Sequence, residues 1–209
     1  KAINATNKFM GSGMLPTNGC PTLEHEHILL FRNGGPREFP PSDETRYESA
    51  YFWDERNTWL SDAWEIRGRR QTLADGGRDR SGAFPFELPY RLVSMFSVYD
   101  DTVLDPFWGT GTTSLAALVA GRNSVGYERD GSLLSAFERA VTDAPALSTG
   151  VVSDRLDSQR AFAADHPTDY EADHYDFGVK TRRERRIRLY EVADVARDGR
   201  TWHAAYDPV

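Results

Sequence analysis

A single cysteine, Cys20, excludes any disulfide within the chain, and lysine is confined to Lys1, Lys8 and Lys180. With no cross-link to hold it, the fold must rest on a core of its own, and a cytoplasmic setting is the expectation. Arginine is left as nearly the whole cation supply of a chain whose formal net charge is -7. That acidity argues against a general polyanion binder working by long-range attraction. Two origins fit the pattern: a salt-adapted cytoplasm, or a GC-rich genome coding Arg in place of Lys. At about 1 M salt the Debye length is only ~3 Å, so short arginine contacts to phosphate remain effective where long-range steering does not. No apolar run approaches the ~20 residues of a membrane span. No membrane partner is expected, no signal peptide is visible, and there are no internal repeats. The chain opens on Lys1, which leaves its true start open. His25 and His27 lack a third ligand at suitable spacing and a cysteine pair, so they read as structural or surface residues and no metal site is expected.

What is present is enough for one domain with a real core, or one domain plus an arm, in 209 residues at 39% hydrophobic content. The organising stretch runs from Asp100 to Glu128. Thr102-Val103-Leu104 is a short apolar, β-branched run that reads as a buried strand. Asp105-Pro106 ends it, because proline cannot donate to a ladder. Gly109 and Gly111 allow a sharp turn and the close approach of a ligand. Thr112 and Thr113 open a helix that places Leu115, Ala116, Leu118 and Val119 on one face, and Gly121 stops it. A second strand, Ser124 to Glu128, ends in an acid. Strand, glycine loop, helix, strand and acid together make the βαβ half of an adenosine-binding site, with Glu128 positioned for ribose hydroxyls. A dinucleotide fingerprint wants a third glycine where Ser114 stands, which weakens a nicotinamide reading.

The string Asp105-Pro106-Phe107-Trp108-Gly109-Thr110-Gly111-Thr112-Thr113 resembles the D-P-F-x-G-x-G-T-T motif of S-adenosylmethionine-dependent DNA methyltransferases that modify exocyclic amines, the N4-cytosine and N6-adenine enzymes. Three further segments resemble the same family in the expected order. His25 to Phe31, read as part of a strand over Glu24 to Phe31, is similar to a strand that follows the catalytic motif. Leu60 to Ile66 is similar to the segment before the cofactor half, which favours packing for Trp64. Phe84 to Val93 is similar to the segment just before D-P-F, where a helix would line up Leu88, Leu92, Val93 and Phe96. The resemblance fades beyond about Ala140. It implies an α/β, Rossmann-like methyltransferase fold, incomplete at the N-terminus, and S-adenosyl-L-methionine as cofactor. It implies that Pro106 and Phe107 to Thr113 surround the methionine part of the cofactor, with Asp105 at the strand end beside them. Glu128 would accept from the ribose, Arg129 and Asp130 would lie near the adenine, and Phe84, Pro85 and Leu88 would close the methionine end.

The family's second motif, (D/N/S)-P-P-(Y/F/W), holds the target amine and stacks on the flipped base. Phe39-Pro40-Pro41-Ser42 lacks both the acceptor and the aromatic, and Asp207-Pro208-Val209 has the wrong ending. No catalytic residue is therefore assigned. In the β-type order of motifs this chain matches the later part of such an enzyme, with the other half supplied by the same gene or by a separate chain. The expected division is a partial sheet with DNA-facing loops over 1–83, a cofactor-binding βαβ core over 84–144, and an α+β extension over 145–209. The expected partner is double-stranded DNA, in a restriction-modification setting, with N4 of cytosine preferred because the sequence resembles archaeal N4-cytosine enzymes, including the CTAG-type group. The alternatives are a methyltransferase acting on RNA or protein, a nicotinamide oxidoreductase and a non-catalytic DNA-binding subunit.

Elsewhere, residues 1–19 and Asn33 to Glu48 read as loops, and Arg67 to Arg80 as either a solvated or a phosphate-touching basic loop. The aromatics of Tyr47 to Trp64 read as core. Leu133 to Val141 and Val151 to Ala164 read as helices. Asp198-Gly199 sits between Ile187–Val195 and Thr201–Tyr206 as a β-hairpin turn. Lys180 to Arg188 carries six cations broken by Glu184, either a DNA-backbone contact or a surface facing the acidic segment before it.

Overall fold

In a computed structural model of the chain, residues 26–66 and 84–209 are described. The glycine-rich entrance over 1–19, His25 and the arginine loop over 67–80 lie outside the described residues. The chain divides into two compact units, one of residues 1–38 with 70–82 and one of residues 39–69 with 83–209. Each is taken by itself.

In the first unit, residues 26–38 have no regular secondary structure. The strand expected over Glu24 to Phe31 is not formed across Glu26 to Phe31, where Leu29, Leu30 and Phe31 stand exposed. An extended apolar segment holds as a strand only when a neighbour takes its N–H and C=O groups, and no strand pairs with it among the described residues.

The second unit begins with two short helices, α1 (Glu44–Glu48) and α2 (Trp53–Trp59). Asp43 accepts from the Arg46 N–H at 2.8 Å and so caps α1. Glu55 accepts from the Phe52 N–H at 2.8 Å to close the first turn of α2. Helix α3 (Glu87–Phe96) follows the second described stretch. Its buried face is Pro89, Tyr90, Val93 and Ser94, while Phe96 is exposed. Of the face expected through Leu88, Leu92, Val93 and Phe96 only Val93 is buried, and the inward side is rotated towards Tyr90, on which Phe86 stacks at 5.4 Å.

Strand β1 (Thr102–Asp105), helix α4 (Thr112–Val119) and strand β2 (Asn123–Gly126) form the βαβ unit read from the sequence, but β1 is not the buried strand expected, since Thr102 and Leu104 are exposed. The strands pair in parallel with Leu104 opposite Val125. Gly121 takes φ +72° just past the helix, and a Cβ there would meet the Tyr99 ring at 2.8 Å. Helix α5 (Leu134–Thr142) buries Phe137 and Val141. Helix α6 (Ala144–Asp165) starts earlier than the periodicity from Val151 suggests, because Pro145 is compatible with a first turn. Ala144, Ser148, Val152, Leu156 and Gln159 form its buried stripe.

A two-residue antiparallel pair, β3 (Tyr170–Glu171) with β4 (Gly178–Val179), precedes the hairpin of β5 (Tyr190–Asp198) and β6 (Thr201–Pro208). The hairpin turns at Gly199, φ +60°. Two cores result. One gathers Trp59, Tyr90, Val93, Leu115, Leu118 and Phe137 around α4, and the other gathers Phe52, Val152, Leu156, Phe177, Ile187 and Leu189 under α6. Phe52 at the cap of α2 and Trp59 within it are thus core residues, while Trp53 is half-buried. Between the cores Arg155 pairs with Glu55, the second guanidinium nitrogen lying 2.9 Å from its carboxylate. Burial by itself would lower the Arg155 guanidinium, but Glu55 more than reverses this and holds it above its ordinary value. The architecture is α/β, and no described helix is long and apolar enough to cross a membrane.

Candidate functional site

The loop between β1 and α4 is built from backbone hydrogen bonds that the sequence dictates. Asp105 accepts from the Phe107 N–H at 3.0 Å, a two-residue turn that carries the chain past Pro106. The Trp108 N–H then donates to the Tyr127 carbonyl at 3.0 Å, and the Tyr127 N–H donates to the Asp105 carbonyl at 2.9 Å. These two bonds continue the β1–β2 ladder beyond Gly126 and carry Glu128 to the loop. The acid lies two residues past the strand end rather than on the strand as expected. One Glu128 oxygen accepts from the Gly109 N–H at 2.9 Å and the other from the Asp130 N–H at 2.8 Å. Asp130 in turn accepts from the Ser132 N–H at 3.2 Å and hydroxyl at 2.6 Å, which fixes the turn into the 3-10 segment Gly131–Leu133.

The two glycines do different work. Both lie in the left-handed region, Gly109 at φ +57° and Gly111 at φ +77°. A Cβ on Gly111 would strike Phe137 at 2.5 Å and Trp108 at 2.8 Å, so its missing side chain is filled by aromatic rings. Among the described residues a Cβ on Gly109 would meet only the Phe107 carbonyl at 3.8 Å, so none of their side chains covers this face of the loop. Gly111 keeps the loop folded onto the domain, and Gly109 leaves room for something to approach.

Trp108 is the pivot. Its ring lies against Gly126, where a Cβ would come within 2.0 Å of it, and it packs on Phe137 at 4.9 Å between ring centroids. Its indole N–H donates to the Ser114 hydroxyl at 2.8 Å. Ser114, which departs from the third glycine of a dinucleotide fingerprint, is thus the acceptor for the loop's own tryptophan. Phe137 also meets Trp202 edge-on at 5.0 Å, so strand β6 braces the loop from behind through a row of three aromatics in tilted and edge-on contact. Tyr206 adds a tie by donating to the Leu118 carbonyl at 2.7 Å.

The expected site residues fall into two groups. Asp105, Pro106, Phe107, Gly109, Thr110, Gly111, Thr112, Thr113, Glu128, Arg129 and Asp130 come together around this loop. Phe107 points outward with 89% of its surface exposed, and Pro106, Glu128 and Arg129 are exposed as well. Phe84, Pro85 and Leu88 lie instead at the start of α3, whose buried face packs towards α4; Phe84 is exposed, and Pro85 and Leu88 are half-buried. Sequence reasoning put Trp108 in the loop but not its packing, and it missed the part that Ser114, Gly126, Phe137 and Trp202 play there. The one signal available was Gly126 two residues ahead of the acid, a place where a small residue lets another group lie close.

Residues 2–139 match the family model for DNA methylase of the N6 and N4 type. The chain is 48% identical over 194 residues to the type II methyltransferase M.MthZI of Methanothermobacter thermautotrophicus, covering 91% of this chain and 55% of that protein. It is 52% identical over 141 residues to the type II methyltransferase M.MjaI of Methanocaldococcus jannaschii, covering 68% of this chain and 46% of that one. A structure of TTHA0409 from Thermus thermophilus, described as a DNA modification methylase complexed with S-adenosyl-L-methionine, aligns at 32% identity with a TM-score of 0.44, over 58% of this chain and 49% of that one. The chain spans about half the length of the curated relatives it matches. The loop resemblance seen in the sequence and the match over residues 2–139 agree, and the chain belongs to the DNA methylase family of N6 and N4 enzymes.

Proposed function

We propose that residues 84–144 bind S-adenosyl-L-methionine and that, in the complete protein, they serve methyl transfer to an exocyclic base amine of double-stranded DNA. N4 of cytosine is preferred over N6 of adenine, on the resemblance to archaeal N4-cytosine enzymes. The observation that carries the reading is the bond between Glu128 and Gly109, which sets an acid against the one glycine of the loop whose face is open. The donor set fits the cofactor. A carboxylate at the strand end suits two ribose hydroxyls, and the start of α4 presents backbone N–H groups beside Thr112 and Thr113. The cofactor supplies the sulfonium methyl group. The chain's own residues orient it: Glu128 accepts from the ribose, Asp105 fixes the turn, Trp108 holds the loop to the domain, and Arg129 and Asp130 border the adenine.

The target amine needs a (D/N/S)-P-P-(Y/F/W) motif from polypeptide outside residues 1–209, supplied by the same gene or a separate chain. The length of the relatives supports this, as does the uncovered apolar face of β1–β2. Residues 1–83 would then contribute a partial sheet and DNA-facing loops, and residues 145–209 an extension that braces the cofactor loop.

Calorimetry with S-adenosylhomocysteine tests the cofactor role. Glu128→Ala is expected to weaken binding at least about tenfold, the scale of a hydrogen bond to a charged group. Glu128→Gln keeps one acceptor oxygen and sets its NH2 against the other of the Gly109 and Asp130 N–H groups, so its thermal stability should fall less than that of Glu128→Ala while its affinity still falls. Affinity within about twofold of the parent for both variants rules out the ribose role. Binding of NAD in place of S-adenosylhomocysteine would point to an oxidoreductase, and methylation of RNA or protein but not duplex DNA would redirect the substrate.

A further inference from the structure

Resting on the DNA methyltransferase reading, we propose that the arginine turn at 181–186 is a contact surface for the phosphate backbone of duplex DNA. The turn is fixed from inside by Glu184, which is 3% exposed. One of its oxygens accepts from the Thr181 N–H at 2.6 Å and the other from the Trp53 N–H at 2.7 Å. The second bond caps the start of α2 with a carboxylate from another part of the chain, favourable at a helix N-terminus. Ile187 and Leu189 anchor the following residues at 0% and 1% exposure. The turn is therefore held at both ends by buried groups.

The cations around it are not equivalent. Lys180 is taken by Asp169 at 3.0 Å and Arg185 by Asp173 at 2.6 Å. The Arg186 guanidinium sits over the Tyr47 ring, 3.7 Å from its centre, and donates to the Ser42 carbonyl at 3.4 Å. Arg182 and Arg183 stand exposed, and neither has a carboxylate partner among the described residues. In a chain with 32 acidic residues against 25 basic ones, two adjacent unpaired arginines on a rigid turn leave a local positive spot. Guanidinium groups match phosphate oxygens in a bidentate way, and a pre-ordered turn loses little freedom on binding. Of the acids at α1, Asp43 caps the helix, Glu48 accepts from the Tyr190 hydroxyl at 3.2 Å, and Glu44 stands exposed in the first turn. The surface reads no sequence, since phosphate contacts position a protein without specifying bases.

The test is anisotropy of a labelled duplex with the 209-residue chain, repeated between about 50 and about 200 mM salt. Replacing Arg182 and Arg183 together by Ala should lower the slope of log affinity against log salt by about 2, near 0.9 for each phosphate lost. As salt rises across that range the parent then loses roughly tenfold more affinity than the variant. Arg182→Lys with Arg183→Lys should restore the slope, because charge rather than shape sets counterion release. An Ala double variant with the parent's slope and affinity overturns the proposal, and so does a parent chain that binds no duplex. S-adenosylhomocysteine affinity, measured alongside, should be the same in parent and variant. If the parent lacks that affinity while the salt slopes behave as stated, the function reading fails and the arginine contact stands.

Discussion

In the β1–β2 pair Leu104 and Val125 face each other across the ladder with 61% and 45% of their surfaces exposed. In the β5–β6 hairpin Val192 is 2% exposed, and Trp202, Ala204 and Tyr206 alternate inward against the core. The first pair is parallel, a geometry found almost only where both faces are covered. The second is antiparallel and needs cover on one face only, which α6 gives. Ser148 of α6, fully buried, even accepts from the Val192 N–H at 3.0 Å at the point where the register shifts. One region is thus closed by its own chain, and the other has one layer of cover among the described residues. The covered side of the β1–α4 loop is held by Trp108 against Phe137, which Trp202 of the hairpin backs, and its other side carries Gly109, Phe107 and Glu128.

The contrast can be broken most sharply at the seam under α6. Glu55→Ala leaves Arg155 buried without its counter-charge, a loss on the order of 3–5 kcal/mol. A urea midpoint unchanged within the equivalent of about 1 kcal/mol would show that the pair does not tie α2 to α6. The loop glycines come next. Gly111→Ala combines a left-handed backbone with collision against Trp108 and Phe137, and should cost about 2–4 kcal/mol. Gly109→Ala meets nothing but a carbonyl and should cost about 1 kcal/mol, with its larger effect on S-adenosylhomocysteine affinity. Equal stabilities for the two variants would erase the division of labour between them.

At the strands themselves, Val192→Ala should destabilise by about 2 kcal/mol, whereas Leu104→Ser should stay within ~0.5 kcal/mol in this chain. A large penalty at Leu104 would mean that its face is already covered. The smallest effect is alkaline. Burial pushes the Tyr206 phenol from 10.0 up to about 12, with Asp100 adding to the rise and Arg122 opposing it. The unfolded chain gives up this proton first, so the stability from neutral Tyr206 is complete below pH 10.0 and is lost as pH climbs to about 12. Denaturation midpoints measured through that window should fall less in Tyr206→Phe than in the parent.

Much of the loop was legible because local chemistry alone enforces it. Asp105 before Pro106 and the turn glycines at 109 and 111 act within a few residues and formed the turn expected. The helix after Thr113, in contrast, buries Ser114 and Ala117 as well as the expected face, and Gly111 meets rings and not a ligand's space. The hairpin around Gly199 was legible for the same reason. The segment over Glu26 to Phe31 shows the limit, since its alternation specifies a face but cannot supply the neighbour that a strand requires. The face of α3 was misjudged because the stacking of Phe86 on Tyr90 outweighs the helical count. The place of Trp108 was unreadable, because nothing near it in sequence names Gly126, Phe137 or Ser114 as its surroundings.

By itself the sequence determined the order of strand, glycine loop, helix and acid, since turn chemistry and apolar spacing are properties of neighbouring residues. Only the tertiary structure decided that Gly111 faces rings while Gly109 faces open space, and that β6 stands behind the loop. Close packing is set by residues far apart in the chain, and no local pattern carries that information.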